Sequence, residues 1–305
     1  MLIDDVERYI ALRRSLGFKL QKPARQLRSF ARFAVERGEW NIRSATAVAW
    51  AAAAPTPEAR HRWLGYVVRL ARFLRAENPA HEIPPEKFFA VPKLRPVPYI
   101  YTRDELARIL EIAGQLRRQK PNPMRRQLYV MLFGLIAATG LRVSEALRLR
   151  LGDVLPGGIL HIRETKFNKS RLVPLHKSVV EALERYLDMR CRCAGSDDHL
   201  FLSTKGTALA YSAVNYTFRC VLQLANIAPG RTRRPRIHDL RHSFATRVLE
   251  QCGMERDAVA RHFVALATYM GHADIAHTYW YLQATPELMT DIAAAAEALV
   301  AREAA

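Results

Sequence analysis

Several short stretches of the chain bring basic and phenolic side chains together among apolar neighbours. Arginine can bind two oxygens of a phosphate at once through its planar guanidinium group. Lysine can protonate a leaving oxygen, and histidine can take the proton of a phenol, whose ordinary pKa is about 10. The combination is therefore suited to attack by a tyrosine on a phosphodiester, a reaction catalysed by positioning and by donors aimed at negative charge. The residues concerned are Arg142, Lys166, His238, Arg241, His272 and Tyr281.

Most of these residues also have a purely structural explanation when taken alone. Arg142 follows an apolar helix and a glycine, and a buried arginine there could pair internally with Glu145. Lys166 lies in a predicted turn, where lysine is ordinarily solvated. Tyr279 and Tyr281 could serve core and rim packing, and because they are about 200° apart on a helix, only one can face a site. The chemistry is therefore favoured by the combination and not by any single residue.

One pair has a helical spacing that suits a shared ligand. His238 and Arg241 are three residues apart in a predicted helix, so their side chains share one face and can address a single oxyanion. A His-x-x-Arg pair is a weak signal by itself. Asp239 and Glu145 are candidates for orienting the neighbouring basic groups.

The chain is strongly basic. Its 305 residues include 47 Lys and Arg against 29 Asp and Glu, a formal net charge of +18 with a pI of about 10.2. Such an excess favours a polyanionic partner, because neutralising phosphates releases condensed counterions; the alternative is a protein that is merely basic. The apolar runs fall short of the roughly 18–20 residues that cross a bilayer, and the N-terminus lacks the layout of a signal peptide. We therefore expect a cytoplasmic, nucleoid-associated protein with no membrane partner.

The four cysteines do not suggest disulfides or metal binding. Cys191, Cys193, Cys220 and Cys252 form no disulfide framework in a chain of this size. Cys191 and Cys193 are close in sequence, but no second pair at zinc-binding spacing follows. We therefore expect reduced thiols. Because the candidate side chains already supply every role in the reaction, neither a cofactor nor a metal is predicted.

Four amphipathic helices are predicted in the first part of the chain, over residues 2–16, 23–37, 46–54 and 56–77. Their short joints suggest a small bundle. Two of these helices carry arginines on their polar faces at helical spacing, which favours phosphate contacts, with a solvated face as the alternative. The DNA-contact candidates here are Arg25, Arg28, Arg32, Arg62, Arg69 and Arg72.

A domain boundary is predicted after these helices. From residue 78 to 98 the helical periodicity disappears and six prolines occur. Proline removes backbone donors and blocks helix, so we predict a stiff, extended linker from about residue 78. A first domain then covers residues 1–95 and a second covers residues 100–305. The second domain opens at Thr102 with Glu105, a capping-box pattern.

The second domain is predicted to be mainly helical with a small antiparallel sheet. Residues 159–163 and 171–175 are typical of two strands of a hairpin, and residues 200–203 could add a third strand. Helices are expected over residues 178–189, 212–225, 238–252 and 257–270. Lys169 and Arg171, beside the hairpin turn, are further candidates for phosphate contacts.

The motifs around the candidate residues closely resemble those of the tyrosine recombinase/phage integrase family, which includes the Xer-type recombinases. The segment TGLRVSEALRL at 139–149 resembles the first arginine motif of the family, and HDLRHSFAT at 238–246 resembles the second. His272 follows a glycine as in the motif of the last histidine, and Tyr281 comes nine residues later, the family's spacing for its nucleophile. Lys166 matches the hairpin lysine, although the usual flanking glycines are replaced.

The resemblance spans roughly residues 100–285 and implies both a fold and a mechanism. The implied fold is mainly α, with an N-terminal helical, core-binding, SAM-like bundle and an α-rich catalytic domain that holds a small antiparallel sheet. The implied reaction cleaves and rejoins DNA through a 3′-phosphotyrosine. The implied roles are phosphate binding by Arg142, Arg241 and His272, attack by Tyr281, protonation of the 5′-oxygen by Lys166, and proton removal by His238.

The resemblance also implies partners. We expect double-stranded DNA with a specific target site, bound by a tetramer on two sites, with or without other recombinases. The amino-acid sequence near the nucleophile resembles that of transposon-borne recombinases, which favours a function in a mobile element. The helix predicted from Pro286 onward could dock on a neighbouring subunit or pack within its own. Two alternatives are a type IB-like topoisomerase and a catalytically inert DNA-binding accessory protein.

Overall fold

The computed structural model describes residues 1–90, 97–117, 124–163, 170–192, 197–251 and 256–271, with the backbone alone for residues 256–260. The chain divides into two compact units, Met1–Arg95 and Pro96–Ala305, each with its own hydrophobic core. The described residues form eleven α-helices and one three-stranded antiparallel sheet. The predicted mainly α fold with a small sheet is confirmed.

The first unit is a bundle of four helices, as predicted. They are α1 (Leu2–Ser15), α2 (Gln21–Val35), α3 (Ser44–Ala52) and α4 (Pro57–Arg75). Their apolar faces meet in a core that includes Phe30, Trp50 and Trp63. The ring of Trp50 packs edge to face on Phe30, with centroids 5.4 Å apart, and stacks on Trp63 at 4.9 Å. Such aromatic pairs bury large apolar areas in a small domain.

The first residues of α4 and α2 show where sequence patterns predict a helix start correctly and where they do not. α4 begins as predicted, because the Thr56 side chain accepts a hydrogen bond from the backbone N–H of Ala59 (3.2 Å) and Pro57 occupies the first turn. α2 begins earlier than predicted, at Gln21, after Leu20 in a left-handed conformation (φ 39°). Pro23 is tolerated inside the first turn because an N–H there has no intrahelical acceptor.

Residues 78–90 contradict the prediction of an extended linker starting at about residue 78. The buried His81 ring accepts a hydrogen bond at Nδ1 from the backbone N–H of Ile42 (3.1 Å). The Glu82 carboxylate accepts from the N–H of Ser44 (2.7 Å), and the Glu82 N–H donates to the Ile42 carbonyl (2.9 Å). The prolines signal missing backbone donors, but the side chains between them bind the first unit.

The second unit contains seven helices among its described residues. They are α5 (Arg103–Gln115), α6 (Arg125–Thr139), α7 (Val143–Ala146), α8 (Lys177–Cys191), α9 (Tyr211–Leu224), α10 (Ile237–Glu250) and α11 (Arg256–Met270). α5 begins with the predicted capping box, in which Thr102 accepts from the N–H of Glu105 (3.1 Å) and Glu105 accepts from the N–H of Thr102 (3.0 Å). α6 is largely buried and packs against α5, α8 and α10, so it forms the centre of this unit.

The sheet of the second unit is partly as predicted. Its strands are β1 (Val154–Leu155), β2 (Ile159–Ile162) and β3 (Arg171–Pro174), all antiparallel in the order β1-β2-β3. β2 and β3 are the predicted hairpin strands. The predicted strand at residues 200–203 is wrong, since Leu202 makes only an isolated bridge with Ala208. The third strand is β1. It has only two residues, which is too short for an alternation of apolar and polar residues to be visible in the sequence.

The described residues also test whether a helix could span a membrane and whether the cysteines are free thiols. No helix among them is both long and apolar enough to cross a membrane. Cys191 and Cys220 are free thiols, as expected. Cys193 and Cys252 lie outside the described residues.

Candidate active site

Arg142 lies between the end of α6 and the start of α7. Gly140 ends α6 in a left-handed conformation (φ 61°), and a Cβ there would lie 2.5 Å from Cδ1 of Phe244, so glycine is required. The turn brings the Arg142 guanidinium to Glu145 (Nη1–Oε1, 2.6 Å) and to the carbonyl of Gly271 (Nη2–O, 3.0 Å). Because 29% of its side chain is still exposed, Arg142 forms the internal salt bridge considered above and remains accessible.

Arg241 projects from α10 and is almost fully buried. Its Nη1 donates to the carbonyl of Gly140, next to Arg142, and its Nη2 donates to the carbonyl of Met270 (2.9 Å). Both contacts lie where α6 and α11 end. The fold therefore brings Arg142 and Arg241, 99 residues apart in sequence, to one place beside the C-terminal end of α11.

His238 lies one turn before Arg241 on α10, and its ring packs edge to face on His242, with centroids 4.8 Å apart. Burial, followed by the positive charges of Arg241 and Arg236, lowers the pKa of His238 to about 4. His238 is therefore neutral near pH 7. A neutral imidazole can accept a proton, which a general base must do.

Asp239 has a different partner from the catalytic candidates. Its carboxylate accepts from the backbone N–H of Arg236 (2.8 Å) and from the Arg236 guanidinium (Nη2–Oδ1, 2.9 Å) at the start of α10. Asp239 thus anchors the first turn of the helix that carries His238 and Arg241. Of the two acids considered for orienting basic groups, Glu145 is the one that contacts Arg142.

Glu145 is a buried carboxylate surrounded by donors. Its two oxygens accept from the Arg142 side chain, from the Arg142 backbone N–H (3.0 Å), and from both terminal nitrogens of Arg171 (3.2 and 2.9 Å). Burial alone would raise the pKa of Glu145, but the hydrogen bonds and positive charge of Arg171, with those of Arg142, outweigh burial and hold the pKa at about 2. Glu145 is therefore a permanent anion that fixes two arginines.

Arg171 does not have the geometry expected of a DNA contact. Only 11% of its side chain is exposed, and its two terminal nitrogens bind Glu145. Its Nε donates to the carbonyl of Tyr269 (2.8 Å). The prediction from its position beside the hairpin turn is corrected, because strand β3 directs this side chain inward to a buried carboxylate. Sequence spacing contained no signal for a pair between Glu145 and Arg171.

The arginines predicted to contact DNA from the first unit are all exposed, on α2 and α4. They differ in their neighbours. Arg28 forms a two-point salt bridge with Glu7 (2.6 and 2.7 Å), and Arg72 pairs with Glu86 (2.9 Å). The Arg69 guanidinium lies over the ring of Tyr66, 5.3 Å from its centroid. Among the described residues, no ion pair involves the remaining three, Arg25, Arg32 and Arg62.

Some predicted residues lie outside the described part of the chain. α11 ends at Met270, and Gly271 is the last residue described. Residues 164–169, which come between β2 and β3 in the sequence, are also outside it. The residues affected are Lys166, Lys169, His272, Tyr279 and Tyr281, together with the helix predicted from Pro286 onward.

One group of described residues has the composition of a metal site. Ligand atoms of Asp197, Asp198 and His199 lie within 4.8 Å of one another. Their oxygens already have partners, since Asp197 accepts from the N–H groups of His199 (2.9 Å) and Ala208 (3.0 Å), and Asp198 pairs with Arg150 (3.1 Å). These hydrogen bonds and the ion pair stabilise the loop after α8 and account for the group, so we assign no ion to it.

The described part of the site suits the binding of an anion that must react. It combines two adjacent guanidinium groups, a neutral histidine on the same helix as Arg241, and a buried carboxylate that holds Arg142 in place. Guanidinium groups stabilise the charge that develops on a phosphate during displacement. The last described residue, Gly271, accepts a hydrogen bond from one of these guanidinium groups, that of Arg142.

Comparison with known proteins places the chain among DNA recombinases. The model of the "Phage integrase family" matches residues 100–287. A protein of Sinorhizobium fredii, provisionally named integrase/recombinase y4rB, is 36% identical over 295 residues, covering 94% of each chain.

Two solved structures have similar folds. The Tn1549 transposon integrase in complex with transposon right end DNA has a TM-score of 0.66 at 19% identity, with 100% of this chain and 99% of that chain covered. A lambda integrase tetramer bound to a Holliday junction has a TM-score of 0.63 at 18% identity, with 92% and 76% covered. At such identities the likeness concerns the fold.

Proposed function

This chain belongs to the phage integrase family of tyrosine recombinases, and on that premise we propose that it recombines DNA at a specific site through a 3′-phosphotyrosine on Tyr281. As a member of this family it is an enzyme that cleaves and rejoins DNA strands. The observation that best supports the proposed site is the meeting of Arg142 and Arg241 at the end of α11. In the sequence, His272 follows Gly271 directly, and Tyr281 comes nine residues after His272.

The proposed cleavage is an in-line displacement at phosphorus. The Tyr281 oxygen attacks, the bond from phosphorus to the 5′-oxygen breaks, and a 3′-phosphotyrosine forms. His238, neutral at pH 7, takes the phenol proton, and Lys166 gives a proton to the leaving 5′-oxygen. Arg142 and Arg241 bind the non-bridging oxygens, with His272 donating a further hydrogen bond.

Joining is the reverse of cleavage on a new strand. A 5′-hydroxyl attacks the phosphotyrosine, Tyr281 leaves, and the acid and base exchange roles. The covalent intermediate conserves the phosphodiester bond energy, so the proposed reaction consumes no nucleotide. Exchange between two sites needs four active subunits in two pairs, which is why we propose a tetramer on two paired sites. The tetrameric form of the lambda integrase structure supports this assembly.

A mobile element is the proposed genetic context. It is supported by the fold shared with the Tn1549 transposon integrase and by the residues near Tyr281, which resemble those of transposon-borne recombinases. The protein would then act on the ends of the element or on its insertion site. The described basic faces of α2 and α4 and the described arginines of the second unit supply cations for the duplex backbone.

The first experiment detects the covalent intermediate. The purified protein is mixed with nicked duplexes tiled across the DNA that flanks its gene, and adducts are resolved on a denaturing gel and mapped by mass spectrometry. We expect one adduct at Tyr281, which is lost in Tyr281→Phe and kept in Tyr279→Phe.

The alternatives give different outcomes in the same assay. Adducts at many unrelated sequences, with relaxation of any supercoiled plasmid, would identify a topoisomerase. Tight binding to one site without any adduct would favour an inert accessory protein. An adduct at Tyr279 would overturn the assignment of the nucleophile alone.

A further inference from the structure

The C-terminal end of α11 is held by three arginines from three different elements. Each guanidinium donates to one of three consecutive backbone carbonyls. The last carbonyls of a helix lack intrahelical partners and form the negative end of the helix dipole, so cations there are stabilising. The pairs are Arg171 with Tyr269 (2.8 Å), Arg241 with Met270 (2.9 Å) and Arg142 with Gly271 (3.0 Å).

Every side-chain nitrogen of Arg171 is bound to a protein group. Its Nε binds the Tyr269 carbonyl, and its Nη1 and Nη2 bind the two oxygens of Glu145. Its side chain is 11% exposed, and since Arg241 is more buried still, the feature that sets Arg171 apart is the two-point pair with the Glu145 carboxylate and not burial. A phosphate could reach Arg171 only by breaking these contacts, which would leave the buried Glu145 carboxylate with the two bonds from Arg142 alone.

Arg171 and Arg142 are linked through shared acceptors. Both bind Glu145, and they bind carbonyls two residues apart, at Tyr269 and Gly271. The contacts form a closed ring that runs from the end of α11 through Arg171, Glu145 and Arg142 back to the end of α11. A shift of Arg171 therefore changes both anchors of the Arg142 guanidinium.

Gly271 makes this arrangement sterically feasible. A Cβ at this position would lie 2.7 Å from Nη1 of Arg171, and the backbone has φ 66°. Glycine adopts this conformation without strain and leaves room for the guanidinium. The glycine before His272 thus serves the close approach of Arg171 as well as the turn.

We propose that Arg171 is a positioning residue for DNA cleavage: it ties the end of α11 to Glu145 and so sets the Arg142 guanidinium for the scissile phosphate, without contacting DNA. This inference rests on the proposed function. Without Arg171, each oxygen of the Glu145 carboxylate loses one of its two donors and keeps only the one from Arg142, so the Arg142 guanidinium is drawn further toward the carboxylate and away from the phosphate. A misplacement of about 1 Å in such a group slows a reaction about 10²-fold.

The test separates DNA binding from cleavage. Adduct formation on the nicked target duplex is measured under single-turnover conditions over a range of protein and salt concentrations, which gives Kd and the maximal rate. For Arg171→Lys, which keeps the charge and loses the planar fork, we expect a maximal rate lower by about 10²-fold. Kd should stay within about twofold, with an unchanged salt slope.

A matched control distinguishes positioning from general stability. Arg190 is also buried and also caps backbone carbonyls, those of Asp197 (2.7 Å) and His199 (3.0 Å), in the same unit. Arg190→Lys should lower the thermal midpoint as Arg171→Lys does, but keep the maximal rate of cleavage. Equal losses of rate in both variants would overturn the inference.

A second variant tests the linkage through Glu145. Glu145→Gln keeps the shape of the side chain and removes its charge, so it should also lower the maximal rate without weakening binding. Because both residues act through one network, the double variant with Arg171→Lys should be no slower than the slower single variant. Multiplied defects would contradict a shared network.

The outcomes also separate this inference from the proposed function. If the unaltered protein forms no adduct on any tiled duplex, the proposed function and this inference fail together. If it forms the adduct and Arg171→Lys cleaves at the same maximal rate, only the positioning role fails. A weaker Kd of the neutral variant Arg171→Gln, with a salt slope reduced by about one and an unchanged maximal rate, would restore Arg171 as a phosphate contact.

Discussion

Two titratable residues beside Arg142 and Arg241 are each held in one charge state near pH 7. Burial and the neighbouring arginines lower the pKa of His238 to about 4, so it stays neutral. Burial opposes ionisation of Glu145, but Arg171 and Arg142 together hold its pKa at about 2. A base that is free to accept a proton and an anchor that never loses its charge can therefore coexist within one cluster of cations.

The first prediction concerns the pH dependence of cleavage. Because His238 accepts the phenol proton only when neutral, the second-order rate of adduct formation at subsaturating DNA, which reports groups of the free protein, should fall on the acid side with an apparent pKa of about 4. His238→Gln should lower the rate by about 10²–10⁴-fold and remove this acid limb. A midpoint near 6.5 in the unaltered protein would contradict the neutral state assigned to His238.

The second prediction concerns stability and follows from the same shift. The pKa of His238 is lower in the folded state than the ordinary value of 6.5, so its contribution is full above pH 6.5 and is lost as the pH falls toward 4. We expect the free energy of unfolding to fall across this range by about 2 kcal/mol more in the unaltered protein than in His238→Gln. Urea unfolding at several pH values measures the difference, and parallel curves would rule it out.

At the scale of elements, the site depends on where helices end. α6 ends at Gly140, whose carbonyl binds Arg241, and the next turn starts α7 at Arg142. α11 ends at Met270 and offers its last carbonyls to the arginines. Helix ends leave carbonyls without intrahelical partners, so two helix ends can hold guanidinium groups without additional acidic residues. The site is therefore sensitive to the exact conformation of these two ends.

The third prediction tests the end of α6. Gly140→Ala forces a Cβ into a left-handed conformation and to within 2.5 Å of the Phe244 ring, so we expect a loss of about 2–4 kcal/mol in unfolding free energy. Gly206→Ala is the matched control, because Gly206 is also left-handed (φ 71°) but its Cβ would meet nothing within 4 Å. Urea unfolding of both variants makes the comparison. An equal effect at both positions would show that the close approach to Phe244 is unimportant.

At the scale of the whole molecule, the net charge of +18 is distributed over both units. The first unit presents arginines on α2 and α4, some already paired with acids and some with no ion pair among the described residues. An arginine already bound by a carboxylate on two points gains less from a phosphate, because the existing pair must break. Charge alone thus indicates a polyanionic partner but does not rank the contacts.

The fourth prediction uses this difference in pairing. Arg25→Gln and Arg32→Gln should each weaken duplex binding and flatten the dependence of log Kd on log salt by about 0.9. Arg28→Gln, on the same helix, should change Kd and its salt dependence by much less, because Glu7 binds the Arg28 guanidinium at 2.6 and 2.7 Å. Fluorescence anisotropy over a salt series checks this. Equal effects at all three positions would mean that the salt bridge with Glu7 opens on DNA.

Particular residues show how far the sequence could be interpreted. The cap at Thr56, the capping box at Thr102 and the hairpin strands were predictable because each depends on residues close in sequence. The strand β1 was missed because two residues show no periodicity. His81 and Glu82 lie in a proline-rich stretch that the sequence predicts to be a linker, and their hydrogen bonds to Ile42 and Ser44, 38 to 39 residues away, show that this stretch is folded.

The sequence by itself determined the family and the mainly α fold and predicts the candidate catalytic residues, because motif spacing and helical periodicity are local properties. The tertiary structure decided how the described charges pair. Arg171 looked like a phosphate contact until the fold placed it against Glu145, 26 residues away, and against Tyr269, 98 residues away. Which arginine faces a phosphate and which holds the site together depends on burial and on distant acceptors, and neither is encoded in the spacing of neighbouring residues.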